Sequence, residues 1–249
     1  MIFLAMLSRK WILTTLLVLA GGVVCVRLGI WQLDRLAQRR AFNAQFIAMQ
    51  SAPALDLNTE IPQDLMDMEY RHVRVTGKYD FANQVALRNQ YHDSEYGYHL
   101  LTPLLLDDGS AVVVDRGWIP ADSNDSPGGW SRYDEAGQVQ VQGVMRLGTS
   151  KPDLGGVPDP TLASGQTRLD FWNFANLERI SQQIPYSVLP VYIQPDVDAN
   201  DNTPPIPYQP EIDLTEGPHF GYALQWFTFA TLLYLGYPFY LRRQLKETT

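Results

Sequence analysis

The chain has 249 residues, with 19 Lys and Arg against 27 Asp and Glu and a formal net charge of −8. With 45% hydrophobic residues, 18 Gly and 17 Pro, it is neither disordered nor collagen-like, and its acidic balance argues against a nucleic-acid partner, which would need a basic face for the phosphates. A single cysteine, Cys25, excludes an intramolecular disulfide framework and any CxxC metal or redox motif.

Trp11 to Val26 is 16 residues without a charge. If Arg27 snorkels, the apolar run continues through Leu28, Ile30, Trp31 and Leu33 as far as Asp34. The pattern predicts a first transmembrane helix over residues 11–33, with Trp31 as an interfacial anchor. A cleaved signal peptide is the rival reading, and Arg9 and Lys10 suit its basic start. The end of the run, Gly22-Val23-Val24-Cys25-Val26-Arg27, has no small-x-small cleavage site, so a retained anchor is expected. Cys25 then reads as a small packing residue. A polar helix continues from the span over residues 34–50.

Residues 51–218 read as an extracytoplasmic β-rich domain. Arg71 to Gly77 and Gln138 to Val144 alternate polar and apolar, the mark of half-buried strands. Gln84 to Arg88 is a weaker strand. Tyr98–Leu106 and Ala111–Trp118 are apolar runs joined by Asp107-Asp108-Gly109-Ser110, a hairpin signal. Phe174 to Ile184 has helical spacing, with Leu177, Ile180 and Ile184 on one face. Tyr186 to Gln194 is a last strand, with Pro190 pointing to an edge position. Residues 122–129, 151–165 and 196–210 are rich in Gly, Pro, Asp and Asn and read as loops. The expected fold is an α+β membrane protein, its mainly antiparallel β domain barrel- or sandwich-like and flanked by two terminal transmembrane helices.

Phe220 to Leu241 is a second uncharged run, 22 residues long and bounded by His219 and Arg242. As a helix it spans roughly 33 Å, enough for a bilayer core of about 30 Å, which predicts a second transmembrane helix over 219–241. Arg242, Arg243 and Lys246 follow it, and no Lys or Arg lies between Arg179 and His219, so the C-terminus is expected in the cytoplasm. The first span, followed by Arg27, Arg35, Arg39 and Arg40, taken alone argues for the opposite orientation. The second is the cleaner signal, and long domains translocate largely regardless of charge. Residues 41–218, with 25 acids against 10 bases, are therefore expected in a bacterial periplasm, both termini being cytoplasmic and the protein multi-pass in the inner membrane.

Enzyme motifs are missing. The sequence has no GxSxG, P-loop, GxGxxG or HExxH, and a non-catalytic protein is expected. His72, His92 and His99 fall in or near strands; a metal site is the alternative, but they lack recognised ligand spacing and read as surface or sheet histidines. Asp115-Arg116-Gly117-Trp118 offers a candidate acid, although a buried Asp–Arg pair or a strand-end turn explains it more simply. His219 stands out. It follows Gly217-Pro218, a helix-start pattern, and the positive end of a helix disfavours an imidazolium, leaving a nitrogen lone pair free to bind a metal. Tyr222 and Trp226 lie on the same side of the expected helix, and Gly221 and Ala223 leave room for a flat ligand. Two readings compete: an interfacial histidine among interfacial aromatics, and a haem site with His219 as iron ligand and Tyr222 and Trp226 as walls.

The sequence resembles the surfeit locus protein family, membrane-bound assembly factors for cytochrome c oxidase. Gly29-Ile30-Trp31-Gln32-Leu33-Asp34-Arg35-Leu36 is similar to the family's signature at the end of its first span. Gly77-Lys78-Tyr79, Gly97-Tyr98 and Thr102-Pro103-Leu104 follow in the family's order. Val113 to Pro120 resembles its internal motif, where Asn is frequent in place of Asp115, and His219 to Phe227 matches the opening of its second span. The region around Trp172 fits less well. The resemblance implies a factor that holds or delivers haem a to the haem-copper subunit of the oxidase, with that subunit and the haem a supply machinery as partners and His219 at the family's implicated haem position. The alternative it leaves open is a scaffold that steadies a nascent oxidase subunit without binding cofactor.

Overall fold

The computed structural model describes residues 2–122, 124, 126–152, 155–198 and 200–247. The chain forms two compact units, one of Met1–Gln45 with Asp213–Thr249 and one of Phe46–Ile212. The first unit holds α1 (Ile2–Met6) and all but the last six residues of α2 (Ile12–Ser51), a single 40-residue helix that carries both the apolar run and the polar stretch after it. Among the described residues α2 is the one helix long and apolar enough to cross a membrane. Most of its apolar window is not covered by protein, unlike the core helix of a soluble domain. Leu13, Leu16, Leu17, Val23, Val24 and Ile30 all point outward.

The second unit is built on one eight-stranded sheet. It comprises β1 (Leu55–Asp56), β2 (His72–Tyr79), β3 (Val85–His92), β4 (Glu95–Leu105), β5 (Ala111–Pro120), β6 (Gln138–Leu147), β7 (Phe171–Trp172) and β8 (Val188–Pro195). The strand order is β1-β2-β6-β8-β5-β4-β3-β7, and β2 also pairs with β4, so β2, β6, β8, β5 and β4 close into a five-stranded barrel. The closing joint is short: Lys78 opposes Leu105 and Tyr79 opposes Leu104. Gly77 permits it, since a Cβ there would lie 2.4 Å from the Leu105 carbonyl oxygen. Most pairings are antiparallel; β1–β2, β3–β7 and β5–β8 are parallel.

The alternation seen in the sequence fills the barrel. Val73 and Val75 of β2, Val112 and Val114 of β5, Val141 and Met145 of β6 and Ile193 of β8 form its buried core. The other face of β4 and β5 is covered too, which is why both strands read as continuous apolar runs. Leu101 and Val113 meet Leu177, Ile180 and Ile184 in a second cluster, where α4 (Leu177–Ser181) packs. That helix is shorter than the expected 174–184. Asn176 caps it, its side chain accepting from the Arg179 N–H, and it stops at Ser181, although Ile184 still joins the same cluster. A third cluster gathers Tyr98, Leu100, Ile119 and Trp130, the last from α3 (Pro127–Trp130), a helical turn inside an expected loop.

Pro190 does not mark an edge strand. β8 lies inside the barrel between β6 and β5. Its ladder with β6 reaches only to Val191, and its register with β5 is broken between Val188 and Tyr192. The proline sits in that irregularity, where no ladder needs its missing N–H. The 107–110 turn is as expected: Gly109 has φ +84°, and the Asp108 carboxylate accepts from the Ser110 N–H at 2.9 Å.

Candidate functional site

Within the helical unit, α2 packs against α5 (His219–Glu247) along small residues at a seven-residue spacing. Thr15, Gly22, Gly29 and Leu36 are buried on α2, as are Ala223, Ala230 and Tyr237 on α5. The two helices run antiparallel. The Thr15 and Tyr237 hydroxyls share a hydrogen bond of 2.7 Å near one end. In the middle, a Cβ on Gly22 would lie 2.2 Å from the Tyr234 ring, and one on Gly29 would lie 2.7 Å from the Phe227 ring. The glycines are therefore the sockets into which the aromatic side chains of α5 fit.

The polar half of α2 grips the segment that leads into α5. Arg39 donates to the carbonyls of Thr215 and Asp213, and Asn43 to that of Leu214. Arg40 and Glu216 form a two-pronged ion pair, both bonds 2.8 Å. Arginines that in the sequence served only to argue membrane orientation thus fix the chain three residues before His219.

His219 is the first residue of α5 and is half-buried. Its Nδ1 lies 2.7 Å from Oε1 of Gln32 on α2. Gly217, at φ +68°, lies beside the other edge of the ring, where a Cβ would be 3.7 Å from Nε2. Tyr222 is 46% exposed. Trp226 is half-buried, and its ring meets Phe229 edge-on, with centroids 6.0 Å apart. All three expected site residues stand on the first two turns of α5; the direct partner of the imidazole, Gln32, comes from the other helix. Arg35 lies over the Trp31 ring at 5.6 Å and bonds Gln38. Among the described residues, no group of three or more His, Cys, Asp or Glu side chains could hold a metal ion. A bare ion therefore finds no ligand set here, whereas haem brings four ring nitrogens of its own and asks the protein for one or two.

The β domain holds a second polar cluster, in the Asp115-Arg116-Gly117-Trp118 motif on β5. The expected Asp115–Arg116 pair is not formed. Successive strand residues point to opposite faces. Asp115 therefore meets His99 of β4, its carboxylate oxygens 3.0 and 3.1 Å from Nδ1, and both residues are buried. Burial pulls the His99 pKa down, but the charge and hydrogen bond of Asp115 outweigh it and the net shift is upward. Burial, with Asp115 adding to it, pushes the Tyr192 hydroxyl up. Arg116, on the other face, bonds Glu135 at 2.8 Å and Gln84 at 3.3 Å, and lies over the Tyr79 and Phe81 rings. Gly117 has φ +115°, and a Cβ there would lie 2.1 Å from the Ile206 carbonyl oxygen. Ile206, in an expected loop, pairs with Trp118 through two 2.8 Å backbone bonds. The motif thus braces the domain: Asp115 ties β4, Arg116 ties Gln84, Glu135 and two aromatic rings, and the glycine admits a strap. His92 stacks on Trp118, with centroids 5.2 Å apart, and His72 bonds Gln50, so neither joins His99.

Comparison with known proteins places this arrangement. Residues 19–231, from within the apolar helix α2 into α5, match the model of the SURF1 family. The chain belongs to the SURF1 family. It is 27% identical over 98% of its length to an uncharacterized SURF1-like protein of Mycobacterium tuberculosis, covering 88% of that protein. It is 26% identical to a SURF1-like protein of Rickettsia conorii, over 93% of this chain and 92% of that one. Surfeit locus protein 1 of Mus musculus is 23% identical over 87% of this chain and 72% of its own. The SURF1 match takes in Gln32, His219, Tyr222 and Trp226 and the whole barrel, and it is consistent with a role in cytochrome oxidase assembly.

Proposed function

We propose that this protein is a non-catalytic, membrane-anchored assembly factor for cytochrome c oxidase that holds haem a through His219 and passes it to the haem-copper subunit. Family membership supports the assembly role. The observation that carries the haem reading is the half-buried imidazole at the start of α5, with one ring nitrogen engaged by Gln32 and the other beside Gly217, which has no side chain. Haem is cargo in this reading: iron bound at Nε2 would supply the affinity, and the surroundings of Tyr222 and Trp226 would face the apolar macrocycle.

The outer surface of α5 favours a second crossing. Phe220, Leu224, Phe229, Leu232, Leu235 and Phe239 point away from α2. Polar and small residues such as Gln225, Thr228, Thr231 and Gly236 dilute the run without adding charge. With two crossings, the basic residues after α5 put both termini in the cytoplasm and the barrel in the periplasm.

The test is a haem a titration of full-length protein in detergent, followed by its Soret absorbance. Wild type is expected to bind, and His219→Ala to bind at least about tenfold more weakly. Equal binding by the two proteins removes His219 from the role. Copurification of the haem-copper subunit that is indifferent to haem supply and to His219→Ala supports the scaffold alternative instead.

A further inference from the structure

We infer that Gln32 of α2 is the positioning residue that makes Nε2 of His219 the ligating atom. This rests on the haem-holding reading and adds to it a determinant on the other helix. The Gln32 amide oxygen lies 2.7 Å from Nδ1. An amide oxygen can only accept, so Nδ1 carries the proton, and a neutral imidazole has only one. The lone pair is then on Nε2, and the hydrogen bond also fixes the ring's rotation.

Three features of the helical unit hold this arrangement. Gly29, one turn before Gln32, lets the Phe227 ring close on α2, so the helices stand near enough for a glutamine to reach across. Arg39, Arg40 and Asn43 hold residues 213–216, which sets where α5 begins. Gly217 puts no side chain beside Nε2, where a first carbon would stand 3.7 Å from that nitrogen. The liganding atom is thus made by two helices together: one supplies the ring and the other chooses which nitrogen faces outward.

The experiment has a haem-free arm and a haem arm, both on full-length protein in detergent. In the first, histidine 15N shifts are recorded at a pH where the rings are neutral. His219→Ala identifies the signal among the four histidines. Wild type and Gln32→Glu are expected to show the Nδ1–H form, and Gln32→Leu to move towards Nε2–H. In the second arm, Gln32→Leu is expected to bind haem a about 10- to 100-fold more weakly than wild type, as for loss of an outer hydrogen bond to a metal-bound histidine. Gln32→Glu, a stronger acceptor, should keep the affinity and lower the iron reduction potential. An Nε2–H tautomer in wild type overturns the inference, as does unchanged affinity and spectrum in Gln32→Leu while His219→Ala still abolishes binding. If wild type holds the Nδ1–H form yet takes up no haem a, the functional reading is overturned and the Gln32–His219 orientation stands.

Discussion

Gly117→Ala is expected to destabilise the β domain by about 3–5 kcal/mol. Two costs combine. At φ +115° a side chain strains the backbone by about 1–3 kcal/mol. The new Cβ would also lie 2.1 Å from the backbone oxygen of Ile206, which cannot swing aside as a side-chain tip can. Relief requires the strap to lift, and with it the two Trp118–Ile206 hydrogen bonds, about 1 kcal/mol each. Gly109→Ala is the control: φ is +84° there, and nothing lies within 4 Å of the added carbon. That change should cost about 1 kcal/mol. Denaturant unfolding followed by tryptophan fluorescence measures both. Equal losses at the two glycines would show that the strap contributes nothing.

Asp115→Ala is expected to cost about 3 kcal/mol or more, because it leaves the His99 imidazole buried without its counter-charge. The pair also gives the domain a pH dependence whose sign can be derived. The folded pKa of His99 is raised above its unfolded value by Asp115. Folding then favours the protonated ring. The resulting stabilisation is complete below about pH 6.5, the ordinary histidine value, and is lost as pH rises through the raised folded value. Asp115→Asn keeps the shape and removes the charge, so its stability should be flatter over that range. Ionisations common to both proteins cancel in the difference. A wild type that gains stability relative to Asp115→Asn as pH rises across that window would contradict the assignment.

Six strands were legible, some from polar and apolar alternation and β4 and β5 from continuous apolar runs on either side of a turn signal. Arg71 to Gly77 and Gln138 to Val144 show the alternation most plainly, and the structure extends them to Tyr79 and Leu147. The two-residue β1 and β7 are too short to carry any period. Barrel closure leaves no local trace either, since Lys78 and Leu105 are distant in sequence. Pro190 misled because a proline without an N–H suits a bulge as well as an edge. A pair between Asp115 and its chain neighbour Arg116 is ruled out because adjacent strand residues face apart, and the partner of Asp115 comes from β4. At the candidate site, His219 was visible from Gly217-Pro218 and the uncharged run after it. Gln32 lies within the Gly29 to Leu36 motif. Its role depends on the register of two antiparallel helices, which seven-residue spacing from Thr15 to Gly29 suggests and only packing determines.

The joint that closes the barrel is its shortest, resting on Lys78 with Leu105 and Tyr79 with Leu104. A ring with one brief seam breathes there before it melts elsewhere. Amide deuteration should therefore reach the seam ahead of the long β4–β5 ladder, opening a transient door onto Leu104 and Val75 while the rest of the wall stays shut.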